Sequence, residues 1–187
     1  MPLLTEKFDQ ALVYTISIHR QQIRKGTSIP YMSHLMSVAA LTLEQGGDED
    51  QAIAGLLHDA AEDCGGQKRL DDIRHKFGDD VANIVADCTD SWTEPKPKWR
   101  IRKEAYIASI ATKSERSLLV TLADKTHNAR AIIADLNDIG AEFWSRFSAE
   151  RDEIIWYYEA LATAIEERTN NRLVDELKRC TALMRSS

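Results

Sequence analysis

The sequence predicts an all-α protein: a single helical bundle of about eight to ten helices. Two observations point there. Only 8 Gly and 4 Pro interrupt 187 residues, with 43% of the chain hydrophobic and 29% charged, the balance of an ordered, helix-rich protein. Apolar residues also recur at helical spacing along most of the chain, and no stretch sustains the alternation of a strand. The length suits one core and is short for two, so one domain over residues 1–187 is expected.

Taken in order, Thr5 is placed to cap a first helix running toward Ile23, with Leu4, Phe8, Leu12, Thr15, Ile16 and His19 at helical spacing. Gly26 to Pro30 reads as a loop after the basic residues Arg20, Arg24 and Lys25. Tyr31 to Gln45 is a second helix, with His34 in its first turn and Gly46-Gly47 as its stop. Asp48 caps a third, which runs through the apolar Ala52–Leu57 into His58-Asp59-Ala60-Ala61-Glu62-Asp63 and ends at Gly65-Gly66. A short helix from Leu70 to Phe77 and another from Asp79 or Asp80 through Cys88 read as packing elements. Pro95 and Pro97 mark a long loop or lid hinge over Asp90–Lys98, followed by a basic run at Lys96, Lys98, Arg100, Arg102 and Lys103. Ser114 opens a helix that is apolar on nearly all sides until Asp124. After Gly140 come a long helix from about Ala141 to Arg168 and a last amphipathic one, residues 171–184.

The net charge of −6 argues against a general attraction to nucleic acid and leaves a small phosphorylated molecule as the expected partner. Cys64, Cys88 and Cys180 form no CxxC or disulfide framework, which suggests reduced thiols. The N-terminal residues carry no signal-peptide pattern, and no apolar stretch reaches the ~20 residues that span a bilayer. A cytoplasmic protein without membrane contact is expected. No feature speaks to oligomeric state.

The chemistry concentrates where polar residues break apolar patterns. If Ala52–Asp63 is one helix of about 3.6 residues per turn, His58, Asp59, Glu62 and Asp63 share a stripe. Ala54 and Gly55 then sit one turn below it, small enough for another helix to approach. An imidazole and three carboxylates so crowded need a cation or a hydrogen-bond network. Asp124, after its apolar run, carries the same demand, and Asn128 faces the same way one turn later. His34, His58, Asp59 and Asp124 make a mixed nitrogen and oxygen set suited to manganese, iron or zinc with water in the open positions. An ion held there makes water acidic enough to attack phosphorus and neutralises phosphoryl charge. Glu62 and Asp63 would be left to hold or deprotonate that water. His19 and His75 read as structural.

This arrangement resembles the HD superfamily of metal-dependent phosphohydrolases, and more narrowly the hydrolase domain of the Rel/Spo alarmone enzymes and their free-standing small alarmone hydrolase relatives. The resemblance covers about residues 14–161. It rests on Arg24-Lys25 before Pro30-Tyr31 and His34, on the HDxxED pattern at His58–Asp63, and on Leu122-Ala123-Asp124 through His127-Asn128-Ala129-Arg130, close to LADxxHNxR. It implies a cytoplasmic hydrolase of the stringent response that removes the 3′-pyrophosphate from (p)ppGpp, or from a related purine nucleotide such as (p)ppApp. By it, His34, His58, Asp59 and Asp124 would bind one Mn²⁺, and Glu62 and Asp63 would be catalytic. Arg24 would lie against the purine, where a guanidinium stacks well, with Lys25 and Asn128 near sugar and phosphates. Tyr157 is the aromatic candidate near the phosphates, Arg151 its basic neighbour, and the 96–103 run a 5′-phosphate-facing surface. Leu35 stands where the family commonly has Pro, and the Lys25–Pro30 loop is one residue longer than usual, departures that bear on base choice. The residues after Leu161 leave no room for a synthetase domain, so synthesis is not expected. The alternatives are an HD phosphohydrolase for another small nucleotide and a non-catalytic alarmone sensor.

Overall fold

Ten α-helices and two 3-10 stretches make up the regular structure among the described residues, 4–93 and 95–187, of this computed structural model. The sole extended pairing among them is an isolated bridge between Ile23 and Pro30. The fold is all-α, as the sequence predicts. Residues 1–3 of the N-terminal stretch and residue 94 of the proline-containing loop lie outside the described residues. The chain divides into two compact units: one runs through Lys96 and takes in Lys113–Ala123, and the other is Pro97–Thr112 with Asp124–Ser187.

The first unit holds α1 (Glu6–His19), α2 (Met32–Glu44), α3 (Glu49–Leu57), α4 (Ala60–Asp63), α5 (Gly66–Phe77), α6 (Asp79–Cys88) and the start of α8 (Glu115–Ile139). Thr5 caps α1 by accepting from the Lys7 amide. Asp48 and Gln51 form a reciprocal capping box at the start of α3, satisfying two otherwise orphaned amides. Residues 51–57 of α3 are all buried, so this helix is the unit's core. It packs against α2, and Gly55 sets that distance. A Cβ at Gly55 would lie 3.0 Å from the Ala39 Cα and 3.1 Å from its nitrogen, so only a glycine lets the two backbones meet. Arg116 ties the start of α8 to this core, reaching Asp48 and Asp80 at 2.9 Å each.

The second unit contains α7 (Trp99–Ser109), the rest of α8, α9 (Arg151–Glu166) and α10 (Arg172–Ser186). Asn171 caps α10 by accepting from the Leu173 amide. Arg168 donates to the carbonyls of Ile110 and Ala111 at 2.7 Å, closing the end of α9 onto the 3-10 turn after α7.

Three elements depart furthest from the sequence reading, and α5 also begins at Gly66 rather than Leu70. The first helix ends at His19 rather than near Ile23, because the Gln22 amide folds back on the His19 carbonyl and Ile23 pairs with Pro30. The third is split between α3 and α4 by a turn at His58-Asp59. There the Gly55 carbonyl, which an unbroken helix would offer to the Asp59 amide, lies 2.9 Å from His58 Nδ1. The long helix expected from Ala141 is a 3-10 stretch over Gly140–Arg146 followed by α9. Packing of the Phe143, Trp144 and Phe147 rings, 5.2–6.4 Å apart, draws Phe147 into extended backbone between them.

Candidate metal centre

Close packing of α2 on α3 brings the first-turn histidine of one helix to the end of the other. His34 and His58 are 0% and 1% exposed, with their Nε2 atoms 3.2 Å apart. Asp59 Oδ2 lies 2.9 Å from His58 Nε2 and 3.7 Å from His34 Nε2. All three ligand atoms fall within 4.8 Å of one another. Since a carbonyl only accepts, the contact to Gly55 puts a proton on His58 Nδ1, so the neutral ring presents the Nε2 lone pair to the cluster.

The donor set fits a divalent cation. Ligand atoms at about 2.1 Å from an ion sit about 3.0–3.4 Å apart along an octahedral or tetrahedral edge. The separations of 2.9, 3.2 and 3.7 Å bracket that range. Without a cation, two buried nitrogen bases and a carboxylate would be crowded at the cost of their hydration.

Around this cluster the other carboxylates are anchored. Glu62 accepts from Lys96 Nζ at 2.8 Å and from the Asp90 amide at 3.1 Å, both from or beside the proline-containing loop. Asp63 accepts from Gln22 Nε2 at 2.7 Å. Burial and the neighbouring Asp59 charge push the Asp63 carboxyl above the usual carboxylate range, with Glu62 adding to the rise while Gln22 and Lys96 oppose it. Arg24 and Lys25 lie on the loop between α1 and α2, the Arg24 guanidinium 5.7 Å from the centre of the Tyr31 ring.

In the second unit Asp124 is buried, 4% exposed, and held by its own helix: Lys125 Nζ lies 2.7 Å from Oδ2 and Asn128 Nδ2 donates to Oδ1 at 2.5 Å. Burial works against the Lys125 ammonium, but the Asp124 carboxylate and the Tyr106 and Tyr157 oxygens hold its pKa well above the usual lysine value. Tyr157 is buried on α9, with Lys103 Nζ 4.9 Å from its ring centre and Trp99 edge-on at 6.0 Å. Within the basic run, Arg100 lies 3.3 Å over the Trp156 ring and pairs with Glu104, while Arg102 donates to the Pro97 carbonyl. Arg151 donates to the Met184 and Arg185 carbonyls, where it closes the end of α10.

Thus the structure brings His34, His58 and Asp59 into one cluster and sets Glu62 and Asp63 on the next turn. Asp124, Asn128 and Tyr157 belong to the second unit. Sequence reasoning missed the partners: Gln22, Tyr31, Lys96 and Lys125. Lys125 had a signal, a charge beside the demanding Asp124 in an apolar run; Lys96 stood out in the basic run read as phosphate-facing, whereas it pairs with Glu62, and Gln22 had no signal.

The chain is similar to known proteins along most of its length. The family model described as HD domain matches residues 11–155. The guanosine-3′,5′-bis(diphosphate) 3′-pyrophosphohydrolase MESH1 of Xenopus tropicalis is 37% identical over 139 residues, 73% of each chain. The human protein of that name is 34% identical over 165 residues, 86% of this chain and 84% of its own. Among solved structures, that of a metazoan orthologue of SpoT that hydrolyses ppGpp superposes with a TM-score of 0.79 at 27% identity, over 97% of both chains.

Proposed function

We propose, from the premise that this chain belongs to the HD domain family, that it is a metal-dependent pyrophosphohydrolase removing the 3′-pyrophosphate from (p)ppGpp or a related purine nucleotide such as (p)ppApp. The observation that carries it is the convergence of the buried His34 and His58 with Asp59, one turn before two more carboxylates, in a chain similar to ppGpp hydrolases along most of its length. The HD family implies a divalent metal, and Mn²⁺ is the proposed ion. For Asp124, the fourth proposed ligand, the support is the LADxxHNxR motif. A divalent ion supplies Lewis acidity toward the phosphoryl oxygens and lowers the pKa of adjacent water.

The chain's own groups do the rest. Glu62 and Asp63 orient the attacking water and take up its proton. The raised affinity of Asp63 for a proton suits it to receive one and pass it to the departing nucleotide oxygen. Lys96, paired with Glu62, keeps that carboxylate oriented. Arg24 stacks on the purine, and Lys25, Asn128 and Tyr157 contact sugar and phosphates. The family match runs across both compact units, which supports a single working domain. No helix among the described residues is long and apolar enough to cross a membrane, and the cytoplasm is the proposed compartment.

Purified protein with Mn²⁺ and ppGpp is expected to release GDP and pyrophosphate, followed by anion-exchange chromatography. A failure to release pyrophosphate from both the guanine nucleotide and its adenine counterpart, with Mn²⁺ bound, would overturn the assignment.

A further inference from the structure

The loop carrying Arg24 and Lys25 is tied at its base to the carboxylates of the metal cluster. Gln22 and Tyr31 face each other there: the Tyr31 amide donates to the Gln22 carbonyl at 2.9 Å, and the Arg24 amide to the Ile29 carbonyl at 2.8 Å. The bridge between Ile23 and Pro30 lies between these two bonds. From this paired base both side chains reach acidic groups. The Tyr31 hydroxyl donates to Asp59 Oδ2 at 2.6 Å, the same oxygen that approaches both histidines. Gln22 Nε2 donates to Asp63 Oδ2 at 2.7 Å.

His19 joins the two anchors. Its Nδ1 lies 2.6 Å from Gln22 Oε1, which fixes the amide so that its nitrogen faces Asp63, and its ring stacks on Tyr31 with centroids 5.9 Å apart. Tyr31 also meets His34 edge-on at 5.4 Å and lies beneath the Arg24 guanidinium. One aromatic ring thus contacts two groups of the cluster and the residue assigned to the purine.

We propose that Tyr31 and Gln22, paired at the base of the Arg24-Lys25 loop, are positioning residues for the carboxylates of the metal cluster, Tyr31 fixing the rotation of Asp59 and Gln22 that of Asp63. This rests on reading His34, His58 and Asp59 as a metal site. A carboxylate that loses its orienting hydrogen bond keeps its charge but samples other rotamers, and such partners set metal affinity and activity by about 10- to 100-fold. The two anchors separate by readout. Tyr31→Phe keeps the ring under Arg24 and removes only the donor, so Mn²⁺ binding weakens about 10- to 100-fold while KM for ppGpp at saturating Mn²⁺ holds within about twofold. Tyr31→Leu removes the ring as well and raises KM in addition. Gln22→Leu keeps Mn²⁺ affinity and lowers kcat about 10- to 100-fold with KM unchanged.

The test is calorimetric titration of Mn²⁺ alone into chelator-stripped wild type, Tyr31→Phe and Gln22→Leu, each checked for native helicity by circular dichroism, followed by kcat and KM on ppGpp. The pattern above supports the proposal. Wild-type Mn²⁺ affinity in Tyr31→Phe, or wild-type kcat in Gln22→Leu, overturns it while leaving the metal site standing. A wild type that binds no Mn²⁺ overturns both.

Discussion

In the first unit, His34, His58 and Asp59 turn two imidazole nitrogens and a carboxylate oxygen toward one another, 2.9–3.7 Å apart. In the second, Asp124 is more deeply buried than Asp59 and meets the Lys125 ammonium at 2.7 Å and the Asn128 amide at 2.5 Å. Both clusters place a carboxylate beside an apolar run of helix, Asp124 buried and Asp59 half-buried. The second supplies its own cation from the next residue; the first gathers electron-pair donors and fits a cation from solution. Removing a group from the first cluster is therefore foremost a matter of ion binding, and removing Lys125 foremost a matter of folding.

Substitutions in the first cluster and beside it sharpen that contrast most. His58→Ala is expected to abolish both Mn²⁺ binding and hydrolysis. Glu62→Ala is expected to keep the ion and lose about 10²- to 10⁴-fold in kcat, the range for a general acid–base group. Full turnover by Glu62→Ala would remove that residue from the mechanism.

Lys125→Met breaks the other side. It leaves Asp124 buried without its neighbouring ammonium, and a cost of about 3–5 kcal/mol is expected from urea unfolding of the metal-free protein. Pairing it with Asp124→Asn, which removes the stranded charge, is expected to recover part of that loss. A single variant as stable as wild type would show that Asp124 finds its countercharge elsewhere.

Gly55→Ala tests what draws the first cluster together. Alanine improves helix propensity, but its methyl would press on the Ala39 backbone at 3.0 Å, and backbone cannot rotate aside. The expected result is a loss of about 1–3 kcal/mol with weaker Mn²⁺ binding, as α2 is pushed off α3. A thermal melt and a Mn²⁺ titration read both effects.

Asp63 gives the smallest effect, with a definite sign. Its carboxyl is raised in the folded state, so the fold holds that proton more tightly than the unfolded chain does. The stability this contributes is present below the unfolded value of about 3.9 and is lost as pH rises through the folded pKa. Asp63→Asn is therefore expected to melt higher than wild type at neutral pH in chelator, with the difference vanishing in acid. A pH-independent difference would assign it to packing instead.

Much of this was legible in the residues themselves. The caps at Thr5 and Asp48 and the breaks at Gly46-Gly47 and Gly78 follow from local chemistry, and the structure has them. Gly55 and its neighbours stood out as a place for close helix approach, and there the two histidines meet. The turn at His58-Asp59 was hidden because there the His58 side chain reaches the backbone carbonyl three residues earlier, which periodicity does not record. The anchors Gln22 and Tyr31 were hidden for a different reason. Their partners lie 41 and 28 residues away, and only the folded loop brings donor and carboxylate together.

The contrast between the clusters is tested most directly by counting free Mn²⁺ by electron paramagnetic resonance while chelator-treated wild type, His58→Ala and Lys125→Met are titrated with the ion. One tightly held ion per wild-type chain is expected, none in His58→Ala, and folding loss as the dominant defect of Lys125→Met. Equal uptake by wild type and His58→Ala, or no uptake by wild type, would contradict it.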